Sequence, residues 1–375
     1  MIAALHLGKV PPAIPLLRAE LHASALTAGW LLAIFSAIGA AAGIAFGTFA
    51  DRVGRRRAVV GGLAVLALAS VAGAFAPNAA TLLALRAVEG FGFVAAVVAV
   101  PSLIVDAAVR QRERRLALGL WSAYVPVGSA IALFAAPLAL AGGGWRALWL
   151  AAGIVTCAAA AIVAVVVRRA PVPTPKKATT LLQDARAVAS SRLPLLLAGA
   201  FVGYAAEYLS FVGFLPAMLV DGGIPVARAS LATACVVLAN GAGNVAGGVL
   251  AQWTSRAAII VTGALAFGAG ALVLHAPALP LGVRYGFAVA ASCAGGAVPA
   301  AIFACVPQFA PSQRLVATTQ GLVVQGSSIG QLAGPVIVAL AGGAQGTPAS
   351  GLVMAAYACI AAACGLLLRA GERDA

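Results

Sequence analysis

Charged side chains are scarce in this sequence, so those inside apolar stretches mark where chemistry could occur. Lys9 and His6 stand three residues apart within Leu5-His6-Leu7-Gly8-Lys9-Val10-Pro11-Pro12, and therefore share a helix face. An ammonium at membrane depth needs water or a partner, so Lys9 is expected to face a cavity; snorkelling to the outer surface is the competing reading. Arg86 and Glu89, again three apart and followed by Gly90, could pair on one face of their helix, either as a local ion pair or as part of a binding site. Glu207, with Tyr204 before it and Phe211 after it, is the one acid of its apolar run and could carry a proton. Asn240 and Asn244 share a face, as do Gln320, Ser327 and Gln331. Two uses are open for these neutral groups: lining a polar cavity, or hydrogen bonding between helices.

The elements that must hold these residues follow from composition. Of 375 residues, 62% are apolar and 9% charged, against about 25% charged in an ordinary soluble domain. Crossing a bilayer takes about 20 apolar residues per helix. Such runs lie near residues 1–17, 25–50, 57–76, 79–106, 116–140 and 145–167, and again near 194–219, 228–253, 256–275, 281–308, 314–341 and 348–369. An all-α membrane protein of twelve transmembrane helices is expected, with an N-terminal six-helix half (1–167), a polar cytoplasmic linker (168–193) and a C-terminal six-helix half (194–375). The linker holds Pro171, Pro173, Pro175, Lys176, Lys177, Asp184, Arg186 and Arg192.

The net charge of +14 would suggest nucleic acid in a soluble protein, but its distribution gives another answer. With both termini inside, the cytoplasmic loops and ends hold all of the 24 basic residues except Arg18, Arg146 and Arg228 outside and Lys9, Arg86 and Arg284 within or at the edge of spans. That bias is the orientation signal of a multi-pass inner-membrane protein. Trp30, Trp145, Trp149 and Trp253 fall near span ends, where an indole suits the headgroup region. The six cysteines are scattered through apolar runs with no metal-binding or redox spacing, and no cofactor or metal site is expected.

The second half repeats the first in the same topology. Arg86 and Pro101 recur as Arg284 and Pro299; Gly39, Gly43, Arg52 and Pro12 recur as Gly243, Gly247, Arg256 and Pro216. The same offset puts the counterpart of the Pro194 helix start upstream of Met1, so the first span looks clipped and a start further upstream is expected.

Between the second and third spans lies Gly47-Thr48-Phe49-Ala50-Asp51-Arg52-Val53-Gly54-Arg55-Arg56-Arg57. It resembles the G-x-x-x-D-R-x-G-R-R loop of the major facilitator superfamily, and the span count, linker and repeat extend the likeness over the whole chain. The resemblance implies that Gly47, Asp51, Arg52, Gly54 and Arg55 act in gating. Asp51 would bind near the start of the eleventh helix when the cytoplasmic side closes, aided by the positive end of that helix. For Arg55, Arg56 and Arg57 a purely topological role is equally open. The corresponding stretch ending Thr254-Ser255-Arg256 keeps the arginine and has Ser255 in place of the acid. Arg86, Glu89 and Gly90 resemble the family's R-x-x-Q-G motif with Glu for Gln; Val125-Pro126-Val127-Gly128 and Gly334-Pro335 are fragments of its Gly-Pro motifs. The chain opening resembles the cyanate and nitrate-type branch.

The expected function is secondary active transport of a small anionic solute by alternating access, coupled to protons as a symporter, by a monomer in the bilayer. Lys9, His6, Arg86, Tyr204, Asn240, Asn244 and Gln331 are expected to bind the solute, and Glu207 and Glu89 to couple protons. A proton-coupled exporter of drugs or metabolites is the alternative, and an integral-membrane enzyme a rival of another class. Against the enzyme, His6, His22 and His275 are far apart and no H-E-x-x-H or G-x-S-x-G pattern occurs.

Overall fold

The computed structural model describes residues 1–43, 45, 54–107, 124–167, 178–312, 315–342 and 347–373, and every element among them is helical. The first pass is built from a 3₁₀ turn (Ile2–Ala4), α1 (Leu5–Gly8) and α2 (Val10–Glu20). Next come α3 (Ala25–Ala33), which continues through a 3₁₀ turn (Ile34–Ser36) as far as Gly43, then α4 (Arg55–Ala74), α5 (Ala79–Ala107) and α6 (Tyr124–Val166). After α7 (Ala178–Ala189) follow α8 (Arg192–Asp221), α9 (Val226–Leu250), α10 (Arg256–Leu274), α11 (Leu281–Phe309), α12 (Val316–Gly342) and α13 (Pro348–Arg373).

Ten of these helices are long and apolar enough to cross a membrane. The 43-residue α6 is two helices joined at Gly143 and Gly144, the latter at φ 64°, a backbone state open to glycine at little cost. It therefore supplies two passes, and the α1–α2 segment another, so the twelve expected spans are accounted for. The polar stretch between the halves differs from expectation: it contains α7, an amphipathic helix whose Val188 is buried.

Small residues set how closely the helices approach. Gly326, Gly330 and Gly334 lay one face of α12 on the backbone of α8 at Ala198, Val202 and Ala206, where any β-carbon would collide with a carbonyl oxygen. Outward faces carry exposed Leu68, Leu138, Ile162 and Val165, as lipid contact requires. Trp30 and Trp253 are exposed near helix ends, whereas Trp145 and Trp149 are fully buried edge-to-face at 5.6 Å. The headgroup role expected of those two is corrected: the turn at Gly144 folds both indoles back into the N-terminal half.

Candidate functional site

Lys9, His6, Arg86 and Glu89 come together, but inside the N-terminal half. Lys9 and Glu89 are 0% exposed and Arg86 1%. Lys9 Nζ donates to Glu89 Oε1 at 2.7 Å and to Ser70 Oγ at 2.7 Å, lies 3.0 Å from His6 Nδ1, and sits 4.6 Å from the Trp149 ring centroid. Arg86 donates through Nη1 to Glu89 Oε2 and to the His6 carbonyl, and through Nε to the Leu31 carbonyl, with its guanidinium 4.4 Å from the Phe35 ring. His6 Nε2 meets Thr156 Oγ1 at 2.8 Å. The sequence expects Lys9 to face a cavity and Lys9, His6 and Arg86 to bind an anionic solute; the structure turns these side chains toward one another instead. Both cations are spent on one carboxylate between them, sealed among α1–α2, α3, α4, α5 and α6.

The C-terminal half has a different interior. Tyr204 donates to Asn240 Oδ1 at 3.1 Å, and Asn240 Nδ2 to the Ser292 carbonyl at 2.9 Å, so these two expected solute ligands bind each other and the backbone. Asn244 is half-buried on the same helix. Around Tyr204 stand Tyr208, stacked at 5.9 Å, Phe201 at 6.1 Å and Phe267 at 6.2 Å. One turn along, Glu207 is 1% exposed and its Oε1 has no hydrogen-bond partner among the described residues. Glu207 follows Gly203 by one helical turn, on the row that packs against α13 at Tyr357 and Ala361.

Several contacts between the halves are neutral. Ser36 Oγ donates to Gln331 Oε1 at 2.8 Å, and Gln331 Nε2 to Ser327 Oγ at 3.1 Å. Gln325 Nε2 donates to the Ala40 carbonyl at 2.8 Å, and Ser230 Oγ to the Leu133 carbonyl at 2.7 Å. Gly39 leaves room for Ser328, whose Oγ would lie 2.6 Å from a β-carbon there. An ionic contact also joins the halves, Arg18 with Asp221 at 3.6 Å between α2 and α8. Glu20, two residues on, is drawn away: it accepts from Trp145 Nε1 at 2.9 Å and from Arg146. The Trp145 hydrogen bond and then Arg146 hold the Glu20 carboxyl below its ordinary range against the opposing effect of burial.

Of the gating residues, Gly47, Asp51 and Arg52 lie outside the described residues. Gly54 has φ 94° and caps α4, and Arg55 opens that helix. Arg56 donates to the carbonyls of Val167 and Ala164, so it caps the end of α6. Sequence reasoning missed Ser70, Thr156, Ser36 and the Arg18–Asp221 pair, because a lone hydroxyl in an alanine-rich helix, or a charge at a span end, gives no periodic signal.

Comparison with known proteins agrees with this architecture. Residues 1–314 match the family described as Major Facilitator Superfamily. The chain is 34% identical over 140 residues to the multidrug efflux pump LfrA of Mycolicibacterium smegmatis, covering 37% of this chain and 28% of that protein. It is 36% identical over 104 residues to the methylenomycin A resistance protein of Streptomyces coelicolor, covering 28% and 22%. With the inner membrane transport protein YajR of Escherichia coli it shares 30% identity over 216 residues, covering 55% and 45%. The aligned stretches thus span less than half the length of each of these relatives. Among solved structures, a bacterial homolog of the human lysosomal transporter Spinster, inward-facing and occupied, superposes with a TM-score of 0.77 at 20% identity over 98% of this chain and 94% of that one. The nucleoside transporter NupG superposes with a TM-score of 0.76 at 13% identity over 98% of both chains. With a family match over most of its length and a fold shared across nearly all of it, the chain belongs to the major facilitator superfamily.

Proposed function

We propose that this transporter exports an amphiphilic organic solute by alternating access between its two halves, in exchange for a proton carried on Glu207. The carrying observation is the contrast between the two buried acids. Glu89 accepts from Lys9 and Arg86 on its two oxygens, whereas Glu207 is equally buried and leaves one oxygen unpartnered. An ionised carboxylate without a partner costs several kcal/mol in such a site, roughly the scale of an unpaired buried charge, so Glu207 is carried as the neutral acid until opening admits water or a counter-charge. The solute class is supported by the seam, where Ser36, Gln325 and Gln331 offer neutral hydrogen-bonding groups. Resemblance to named efflux and resistance proteins points the same way. A small anion, the solute expected from Lys9 and Arg86, gains less support, since neither cation faces the seam.

Orientation follows the same reading: both termini and the 168–193 linker lie in the cytoplasm, the chain works as a monomer, and the Arg18–Asp221 pair closes the outer side. Labelling of single cysteines at Lys176 and Gly222 from opposite sides tests that orientation. For function, purified protein in proteoliposomes is given a pH gradient and offered an amphiphilic dye or nitrate. Gradient-driven dye movement is expected, with Glu207→Gln retaining exchange and losing dependence on the gradient. Nitrate uptake that survives Glu207→Gln and fails with Lys9→Ala would return the anion reading.

A further inference from the structure

We infer that Thr156 is a positioning residue that fixes His6 as the Nε2–H tautomer. Lys9 thereby stays an ammonium with all three hydrogens engaged, and the N-terminal half takes no part in proton exchange. The functional half of this statement rests on the reading of Glu207 as proton carrier; the tautomer does not.

The assignment follows from where the network ends. Thr156 Oγ1 donates its single hydrogen to the Ala152 carbonyl at 2.8 Å, and a carbonyl can only accept. At its other contact, 2.8 Å from His6 Nε2, Thr156 must therefore accept, which places a proton on Nε2. Ser70 repeats the logic: its hydroxyl donates to the Trp149 carbonyl at 2.8 Å, so Ser70 Oγ accepts from Lys9 at 2.7 Å. Two carbonyls of one helix, α6, thus set the direction of both branches.

Lys9 stands where the branches meet. One hydrogen goes to Ser70 Oγ and one to Glu89 Oε1, leaving the third for His6 Nδ1 at 3.0 Å. Three hydrogens meet three acceptors, provided Nδ1 is bare. A proton on Nδ1 would face the ammonium, and the remaining acceptor, Glu89 Oε2 at 3.7 Å, is beyond hydrogen-bonding reach. The opposite neutral tautomer would also set the Nε2 lone pair against the Thr156 oxygen.

Every element packed around His6 agrees. From α5, Glu89 is engaged by Lys9 and Arg86, and Arg86 also holds the His6 carbonyl. From α3 come the Leu31 carbonyl and the Phe35 ring, both on Arg86; α4 gives Ser70, and α6 gives Trp149 and Thr156. A proton entering at His6 meets a cation, and one leaving Lys9 leaves an acceptor without its donor.

The test uses the full chain in nanodiscs with ¹⁵N-labelled histidine rings. Of the three histidines, His22→Gln and His275→Gln variants identify the His6 signal. The wild type is expected to show His6 protonated on Nε2 and bare on Nδ1, and Thr156→Ser to show the same. Thr156→Val should strip the Nε2–H of its acceptor, shift the Nε2 signal and lower transport about tenfold. A wild-type His6 protonated on Nδ1, or a folded Thr156→Val with an unchanged spectrum, overturns the inference. Should Thr156→Val not fold, the wild-type and Thr156→Ser spectra still decide, since both must carry the proton on Nε2. Failure of the Glu207 reading is separate: Glu207→Gln that keeps proton coupling removes it and leaves the His6 spectrum as it is.

Discussion

The two halves repeat one backbone plan and treat buried charge in opposite ways. At the internal offset relating the first passes, His6 and Lys9 correspond to Ser210 and Gly213; at that of the arginine helices, Arg86 and Glu89 correspond to Arg284 and Phe287. Ser210 turns its hydroxyl onto the Ala206 carbonyl, and Gly213 makes room for the Leu32 side chain of the other half. Arg284, without an acid three residues on, donates to the Leu274 carbonyl at 2.6 Å, while Phe287 faces outward. In one half the charges are consumed in tying α1–α2, α4, α5 and α6 to each other. In the other, an aromatic cluster surrounds Tyr204, and Glu207 one turn along has no cationic partner among the described residues. A charge inside a span is thus not by itself a solute ligand; what matters is whether its own half has already satisfied it.

Swapping each acid for its amide breaks this comparison most directly. Glu89→Gln leaves Lys9 and Arg86 without an anion, and a loss of about 3–5 kcal/mol in unfolding free energy is expected. Glu207→Gln should change stability by within about 1 kcal/mol, because a neutral acid gives way to a neutral amide of the same shape. Denaturation of both variants in detergent measures the difference; equal losses would mean that Glu207 has an ionic partner after all.

Close packing gives the next effect. Gly330→Ala sets a methyl against the Val202 carbonyl across the α8–α12 contact and should cost about 1–3 kcal/mol. Gly61→Ala, with nothing within 4 Å, should stay within about 0.5 kcal/mol. Matching melting shifts for the two would show that the α8–α12 contact opens readily.

Much of this architecture is legible in the sequence, because a span must be about 20 apolar residues long whatever its neighbours are. The Arg86–Glu89 pair is legible for a similar local reason, lying three residues apart on one helix. Lys9–Glu89 is not, since that bond joins residues 80 apart and depends on how α2 seats against α4, α5 and α6. Nor does sequence distinguish a tryptophan near a span end that meets headgroups from one folded inward: Trp149 lies under Lys9 while Trp253 is 77% exposed. Tyr204 and Asn240 read as free polar ligands until packing shows each satisfied by the other.

A smaller effect belongs to the outer pair that joins the halves. Arg18 and Asp221 are 30% and 42% exposed, so their attraction is worth about 0.2–1 kcal/mol, a shift of up to about fivefold between closed and open outer states. Arg18→Asp should raise outer-side accessibility by that factor, and the double variant Arg18→Asp with Asp221→Arg should restore it. High salt should blunt both. No rescue by the charge swap would mean that the two side chains merely lie close.

The smallest effect concerns Glu20, which keeps Arg146 and Trp145 to itself and leaves Arg18 for Asp221. Its carboxyl is held below the ordinary range by the Trp145 N–H and then by Arg146, with burial opposing both. A depressed folded-state value means that the unfolded chain binds the proton more readily. The contribution of Glu20 to stability is therefore fully present above the ordinary carboxylate range and disappears as pH falls through the lowered folded value. Trp145→Phe removes the leading cause of the depression, so the acid-side fall in stability that depends on Glu20 should shrink and be complete at a higher pH. Because Glu20 is 42% exposed, the effect is small and is best read as a difference between melting curves of Trp145→Phe and the wild type across the acid range. The same titration connects to the gate. Once protonated, Glu20 releases Arg146 and cannot compete for Arg18, so outer-side accessibility should not rise from this group as pH falls. A rise that Glu20→Gln abolishes would show that Glu20, rather than Asp221, is the acid that holds Arg18.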